Sequence, residues 1–406
     1  MVLPYGRPVI DDDDIAAVVG VLKGQYLTTG PMVERFEAAF AAAVEAPHAV
    51  VCSSGTAALH LAAEAVGVGP GTTAIVPALT FVATANAPHL QGAEIVFADV
   101  DPATGLMTLD NLAAAIDFAR SRFPDRRIAA IFPVHLNGQC AEMPAIAALA
   151  RNHGAAVVED ACHALGGYQM SSHGPATPVG ASAHSDVTCF SFHPVKTVAA
   201  GEGGCVTTRN PVLAERMRRF RNHGLVRDPK KFSLAEAFAP DGGHNPWFYE
   251  MPEPGLNYRA SDIHCALALS QLGKLERFVA ARARLVEYYR KQLVRFGNSI
   301  RAVPELTTGK PAWHLMVVCI AFGELGRCRS AVMRGLRGRG IGTQVHYIPV
   351  HRQPYYRSRY GLADLPGADA YYERALSLPL NAALTEADVD RVLSALAAEL
   401  GLSKAQ

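Results

Sequence analysis

Between Val33 and Phe192, short apolar runs alternate with segments of helical period, and this alternation restricts the fold more than any other feature of the chain. The runs are AIVP (74–77), EIVFADV (94–100), IAAIFPV (128–134), AAVVED (155–160) and VTCFSF (187–192); helical patterns cover 55–67, 108–121 and 142–153. Strands without a polar face need cover on both sides, which a helix after each strand supplies. The expectation is an α/β fold with a large, mostly parallel sheet. In such a sheet the binding crevice lies beyond the carboxyl ends of the strands, so residues that close the apolar runs are the first candidates for chemistry.

From 262 onward the pattern changes. CALALSQLGKLERFVAARARLVEYYRKQL places Leu267, Leu269, Leu272, Leu275, Phe278 and Val279 close to helical spacing and predicts one long amphipathic helix over 262–296. A strand at 315–322, a helix at 328–339, a strand near 343–348 and a last helix from Thr385 then predict a smaller C-terminal α/β domain. With 406 residues, half of them hydrophobic, the chain is long enough for two cores.

Charge narrows the partners. A formal net charge of +1 with 18% charged residues gives no general attraction to nucleic acid or to an anionic membrane. The Arg-rich stretch from Arg216 to Arg221 reads as a solvated helix face. None of the eight cysteines forms a CxxC pair and most sit in apolar runs, which predicts buried free thiols and no metal site. The opening MVLPYGRPVIDDDD lacks the basic and apolar regions of a secretory signal, and no run reaches the roughly 18 apolar residues of a membrane span, so a cytoplasmic location is expected.

Lys196 lies in FSFHPVKT, just past an apolar run, with GEGG (201–204) after it. A lysine at a strand end projects into the crevice, where burial lowers its proton affinity and frees the amine to attack a carbonyl. A loop lysine is ordinarily a solvated surface residue, and the glycines by themselves mark only a turn. Asp160 closes AAVVED; a carboxylate there can keep a pyridine nitrogen protonated, or simply cap the segment that begins at Ala161. SSGTAALH (53–60) opens a helix with small residues, which suits a phosphate at the helix N-terminus and equally a plain cap. Phe81, after Thr80 and the run AIVP, can stack on a flat ring or fill the core. Phosphate-type helix start, aromatic, strand-end Asp and strand-end Lys, in that order, suit pyridoxal 5′-phosphate (PLP) in an aspartate-aminotransferase-like fold, fold type I.

The stretches LTTGP (27–31), SSGTAALH (53–60), PALTFVATANA (77–87), VVEDACHALGG (157–167), FSFHPVKT with GEGG (190–204), RNHG (221–224) and LNYRASDIHCALALSQL (256–272) resemble the DegT/DnrJ/EryC1/StrS sugar aminotransferases through nearly the whole chain. The resemblance implies that Lys196 is the lysine that carries PLP, that Asp160 contacts the ring nitrogen, that His163 faces the ring hydroxyl and that Phe81 stacks on the ring. Gly55, Thr56 and Ser191 are implied as phosphate ligands, and Asn257 as the residue that reaches the phosphate from the neighbouring subunit of a homodimer, with Arg259 close by. It also implies a PLP-binding large domain over 1–260, with an N-terminal substrate segment, and a linking helix with the small domain over 261–406.

PYGRP (4–8), NPWFYE (245–250) and GTQVHYIPVHRQPYY (342–356) are similar to the transaminases that make UDP-4-amino-4,6-dideoxy-N-acetyl-β-L-altrosamine for pseudaminic acid. That similarity implies that Tyr5, the loop Gln25, Tyr26, Leu27, Thr28 and Thr29, Ser54, and the segment His346, Tyr347, Ile348 and Pro349 touch a nucleotide-sugar. Leu256, where the family often carries an aromatic, and His264, where it often carries Gln or Asn, depart from the pattern. The implied reaction takes the amino group of L-glutamate and places it on C4 of a UDP-4-keto-6-deoxy-N-acetylhexosamine. Bacillosamine- or perosamine-type sugars are the alternative substrates, and a PLP-bound regulator is the alternative that is not an enzyme. A sugar dehydratase of this type lacks the lysine that Lys196 supplies, and no basic helix-turn-helix-like segment supports a regulator. The insertion-like loop from Asp228 to Gly243 is expected to alter the substrate mouth.

Overall fold

The computed structural model describes residues 2–170, 175–307 and 309–402. In chain order the first strands are β1 (His48–Cys52), β2 (Thr72–Pro77), β3 (Glu94–Ala98), β4 (Arg127–Ile131) and β5 (Ala156–Asp160). The short pair β6 (Tyr168–Gln169) and β7 (Thr177–Pro178) follows, then β8 (Val187–Ser191) and β9 (Gly204–Thr208). Seven of these form one sheet in the order β1-β9-β8-β5-β4-β2-β3. The pairs β3–β2, β2–β4, β4–β5 and β5–β8 are parallel, while β9 is antiparallel to both β8 and β1. β1 therefore points the same way as β8, and β9 alone runs back. The carboxyl ends of six strands open on one edge of the sheet.

Alternate residues along the inner strands enter different cores, as the double-sided burial requires. Val76, Ala130 and Val158 pack with helix Gly55–Ala65, whereas Ile75, Ile131 and Val157 pack with helices Leu109–Arg122 and Met143–Asn152. Ser54, Thr108 and Thr385 each accept a backbone N–H at the start of a helix and fix where it begins.

The C-terminal strands are β10 (Ile300–Ala302), β11 (Gly309–Lys310), β12 (Met316–Ile320) and β13 (Ala375–Leu378). β10, β12 and β13 form an antiparallel sheet, and β11 joins β6 and β7. Leu285, Tyr289, Val318, Leu336, Leu376, Val392 and Leu396 make a separate core with Leu3. Leu3 exchanges backbone hydrogen bonds with Gly340 and Gly342, so the start of the chain runs along the C-terminal half.

Four expectations need correction. The stretch 262–296 is two helices, Asp262–Leu272 and Leu275–Leu293, followed by a short turn. Leu272 and Leu275 belong to one core, so the apolar spacing runs straight through the break at Gly273. Lys274 at the break reaches the N-terminal helix, where its Nζ stands 2.8 Å from the buried Asp14 and also meets Asp11. The stretch 343–348 forms no strand beyond one bridge from Gln344 to Ser377, and the N–H of Val345 is taken by the Gln344 side chain. The arginines from 216 to 221 are anchors: Arg216 pairs with Glu64, Arg218 and Arg221 with Glu37, and Arg219 with Glu253. Of the cysteines, Cys328 is exposed and Cys162 and Cys319 are half-buried; the other five are buried.

Candidate active site

Four strands bring their ends together. β1 leads through Ser53 to Ser54, the cap of helix Gly55–Ala65; β2 leads to Thr80 and Phe81; β5 ends on Asp160; and β8 ends on Ser191, five residues before Lys196. At Gly55 an added Cβ would stand 2.7 Å from Ser191 Cβ, and at Gly204 it would stand 2.2 Å from Ser54 O. Both glycines let backbones approach where a side chain has no room. The first-turn N–H groups of the helix, including those of Gly55 and Thr56, thus lie against Ser191, a cradle suited to an anion.

Asp160 is buried and held on both oxygens. Oδ2 accepts from Thr84 Oγ1 at 2.7 Å, and Oδ1 accepts from the N–H of Cys162 at 3.2 Å. No helix follows Asp160, so it is not a helix cap. Lys196 is half-buried, and its Nζ has no hydrogen-bond or ion-pair partner among the described residues. Burial lowers its proton affinity; Cys162 and Asp160 oppose this and Arg282 adds to it. Burial holds His163 well below its ordinary value, and the charge of Lys196 acts the same way.

His163 Nε2 lies 3.1 Å from the hydroxyl of Tyr347, whose ring also meets Phe81 at 5.9 Å between centroids. Phe81 is 55% exposed, which excludes a core role. Tyr5 packs on His346 at 5.4 Å, and an added Cβ on Gly6 would touch Val195, so the N-terminal segment lies against the loop that carries Lys196. His346 Nδ1 pairs with Ser377 Oγ at 2.8 Å, and burial takes its pKa down to about 3. Ile348 is exposed, and Pro349 is buried just before the turn at Val350, whose N–H bonds to Ala78 O.

The remaining expected residues form a second group. Gln25, Tyr26, Leu27, Thr28 and Thr29 make an exposed loop tied to the 257–262 strap, through Asp262 N to Leu27 O and a bridge from Thr28 to Ser261. Thr29 and Arg259 line a cavity of about 460 Å³ with Arg218, Arg221 and Asn222. Asn257 is exposed beside it. Within one chain, no hydrogen bond or ring contact among the described residues joins this group to Lys196 or Tyr347.

Thr84, His314 and Arg282, absent from the residues expected above, also belong to the site. Thr84 stands four residues after Thr80, with their hydroxyls 2.8 Å apart, so that i, i+4 pair was a usable signal. His314 and Arg282 left none: their place depends on long-range packing, with ring centroids of His163 and His314 4.4 Å apart.

The sequence profile of the DegT/DnrJ/EryC1/StrS aminotransferase family matches residues 8–397. The spore coat polysaccharide biosynthesis protein SpsC of Bacillus subtilis (strain 168) is 38% identical over 403 residues, 97% of this chain and 96% of its own. Helicobacter pylori PseC, an aminotransferase involved in the biosynthesis of pseudoaminic acid, superposes with a TM-score of 0.86 at 26% identity over 99% of this chain and 100% of its own. Spr1654 of Streptococcus pneumoniae, solved in its PLP form, gives 0.84 at 25% identity over 99% of each chain.

The fold is that of the fold type I, PLP-dependent aminotransferases. The chain belongs to the DegT/DnrJ/EryC1/StrS aminotransferase family and is a sugar aminotransferase that uses PLP. The groups present fit that cofactor: an anion cradle at Gly55 and Ser191, a carboxylate fixed at Asp160, an unpaired amine at Lys196 and a buried His163 Nδ1 without a partner. No helix among the described residues is long and apolar enough to cross a membrane.

Proposed function

We propose that this aminotransferase takes the amino group of L-glutamate and delivers it to C4 of a UDP-4-keto-6-deoxy-N-acetylhexosamine of the pseudaminic acid route. The observation that carries the chemistry is the convergence of Ser54, Asp160, Ser191 and Lys196 at the carboxyl ends of β1, β5 and β8. When bound, PLP supplies the electron sink that lets an amino group pass between carbon skeletons. Gly55, Thr56 and Ser191 hold its phosphate, with Asn257 of a second subunit. Asp160 holds its ring nitrogen, His163 faces its ring oxygen, and Phe81 covers the ring.

Lys196 Nζ would hold the cofactor at rest and, once displaced by the donor's amine, would be free to take the proton from the donor carbon and return it. Its lowered proton affinity suits both directions, since an amine must take the proton and an ammonium must return it. Thr84 and the Cys162 N–H keep the Asp160 carboxylate from turning away. Tyr5, His346, Tyr347, Ile348 and Pro349 select the sugar from one side. Ser54, the 25–29 loop and Arg259 select it from the other, with the loop and Arg259 contributed across a homodimer. On this proposal each subunit divides near 260, and the enzyme works in the cytoplasm.

Similarity to PseC supports the pseudaminic substrate. The 38% identical relative is named for spore coat polysaccharide biosynthesis, a different end product, which motivates a second reading: another nucleotide-linked 4-keto-6-deoxy sugar. Assay of the PLP-loaded enzyme with L-glutamate and the two C5-epimeric UDP-4-keto sugars separates them. Turnover of the L-configured epimer is expected. Turnover confined to the D-configured epimer refutes the pseudaminic reading and favours the second.

A further inference from the structure

We infer, on the reading that His163 faces the cofactor ring, that His314 is a positioning residue for His163: its ring backs the His163 ring, and Arg282 and Asn137 lock the backbone beneath it. The two ring centroids are 4.4 Å apart with planes inclined by 47°. The Tyr347 hydroxyl holds His163 Nε2 at 3.1 Å. Arg282 Nη1 donates to His314 O at 3.1 Å, and the N–H of His314 donates to Asn137 O at 2.9 Å. A Cβ on Gly138 would stand 2.0 Å from Ala312 O, so these two backbone segments are already in contact. Held between an imidazole and a phenol, the His163 ring has little freedom to tilt.

The setting also decides its charge. His163, His314 and Arg282 are only 7%, 4% and 3% exposed. The groups that face His163 are Lys196, His346, His314 and Tyr347; those that face His314 are Lys196, His163, Arg282 and His346. Among the described residues, histidine–carboxylate pairs involve His135 and His351 alone, so neither ring has an anion to hold a proton. Burial and the surrounding cations keep both imidazoles neutral. A neutral His163 can share a hydrogen bond with the cofactor's ring oxygen without a second positive charge beside Lys196. The His314 ring covers one side of the His163 ring, and its removal would open that side to water and so to protonation.

The test uses the PLP-loaded enzyme, with cofactor affinity and the pH titration of its visible absorbance as readouts, and with His314→Ala, His314→Phe and His163→Ala. His314→Ala is expected to weaken cofactor binding about tenfold, the order set by loss of one aromatic pair. The absorbance midpoint moves down by roughly half a unit or more, because an imidazolium repels the proton on the neighbouring Lys196 nitrogen. His314→Phe keeps a ring in place and retains affinity within about threefold and the wild-type midpoint. Wild-type affinity and midpoint in His314→Ala overturn the inference, as does equal damage by alanine and phenylalanine. If the alanine variant does not fold, the phenylalanine variant decides: a retained midpoint supports the inference and a shifted one overturns it. An unchanged spectrum in His163→Ala means instead that His163 does not face the cofactor.

Discussion

Thr84→Val removes one hydroxyl from the site while keeping its volume. Thr84 is fully buried, and its Oγ1 donates to Asp160 Oδ2 at 2.7 Å. A hydroxyl has one proton to give, so the 2.8 Å contact with Thr80 runs from Thr80 to Thr84, and the two form a chain that ends on the carboxylate. A hydrogen bond to a charged group contributes about 1.5–3 kcal/mol. Valine forfeits it and also leaves the Thr80 hydroxyl without its acceptor. Asp160 then keeps only the Cys162 N–H, on its other oxygen. A carboxylate fixed at one oxygen swings, and the partner of the ring nitrogen is lost for part of the time. We expect the single-turnover rate with L-glutamate, followed by the cofactor's absorbance, to fall about tenfold to a hundredfold, each tenfold being about 1.4 kcal/mol. Thr84→Ser restores the donor and should stay within about threefold of wild type. If valine reacts as fast as threonine, or serine is as slow as valine, the hydroxyl is not what holds Asp160.

Lys196→Ala should lose all turnover while its thermal unfolding midpoint stays near that of the cofactor-free wild type; appreciable turnover in that variant removes Lys196 from the mechanism. Mixing Lys196→Ala with Asn257→Ala chains should restore part of the activity, since one site of each mixed dimer then has both residues, and confirmed mixed dimers without activity would place Asn257 elsewhere. His346→Ala should raise the sugar KM with little effect on the glutamate half-reaction; equal damage to both means the segment supports the cofactor and does not select the sugar. His135→Leu should destabilise the fold by about 1.5–3 kcal/mol in urea unfolding, because it strips the buried Glu159 carboxylate of its 2.8 Å hydrogen-bond partner; a loss under about 1 kcal/mol shows that Gln169 and Thr188 suffice.

Asp160 and Lys196 were legible in the sequence because each follows an apolar run, and a parallel sheet turns position along the chain into position in the crevice. The glycines of GEGG, ambiguous in the sequence, acquire a definite reason once Gly204 is seen against Ser54 O. The arginines from 216 to 221 misled for the opposite reason. Helical spacing marks them as one face, but whether that face meets water or Glu37, Glu64 and Glu253 depends on what packs beside it. The break at Gly273 was hidden because both flanking helices turn apolar residues toward one core. The segment 343–348 read as a strand from composition, yet its backbone groups find partners in a side chain and a single bridge.

Periodicity and strand-end chemistry, local properties of the chain, pointed to a mostly parallel sheet with covering helices and to Asp160 and Lys196 as candidates, and the resemblance of the motifs implied the cofactor and the family. Contacts between residues far apart in sequence were decided only by the tertiary structure. It set Thr84 against Asp160, His314 against His163, and Tyr5 against His346, and it kept the 25–29 loop with Arg259 on a separate surface of the chain. The physical reason is that hydrophobic burial is non-directional and follows a local pattern, whereas a hydrogen bond or a ring contact holds only within a few tenths of an ångström of its ideal separation.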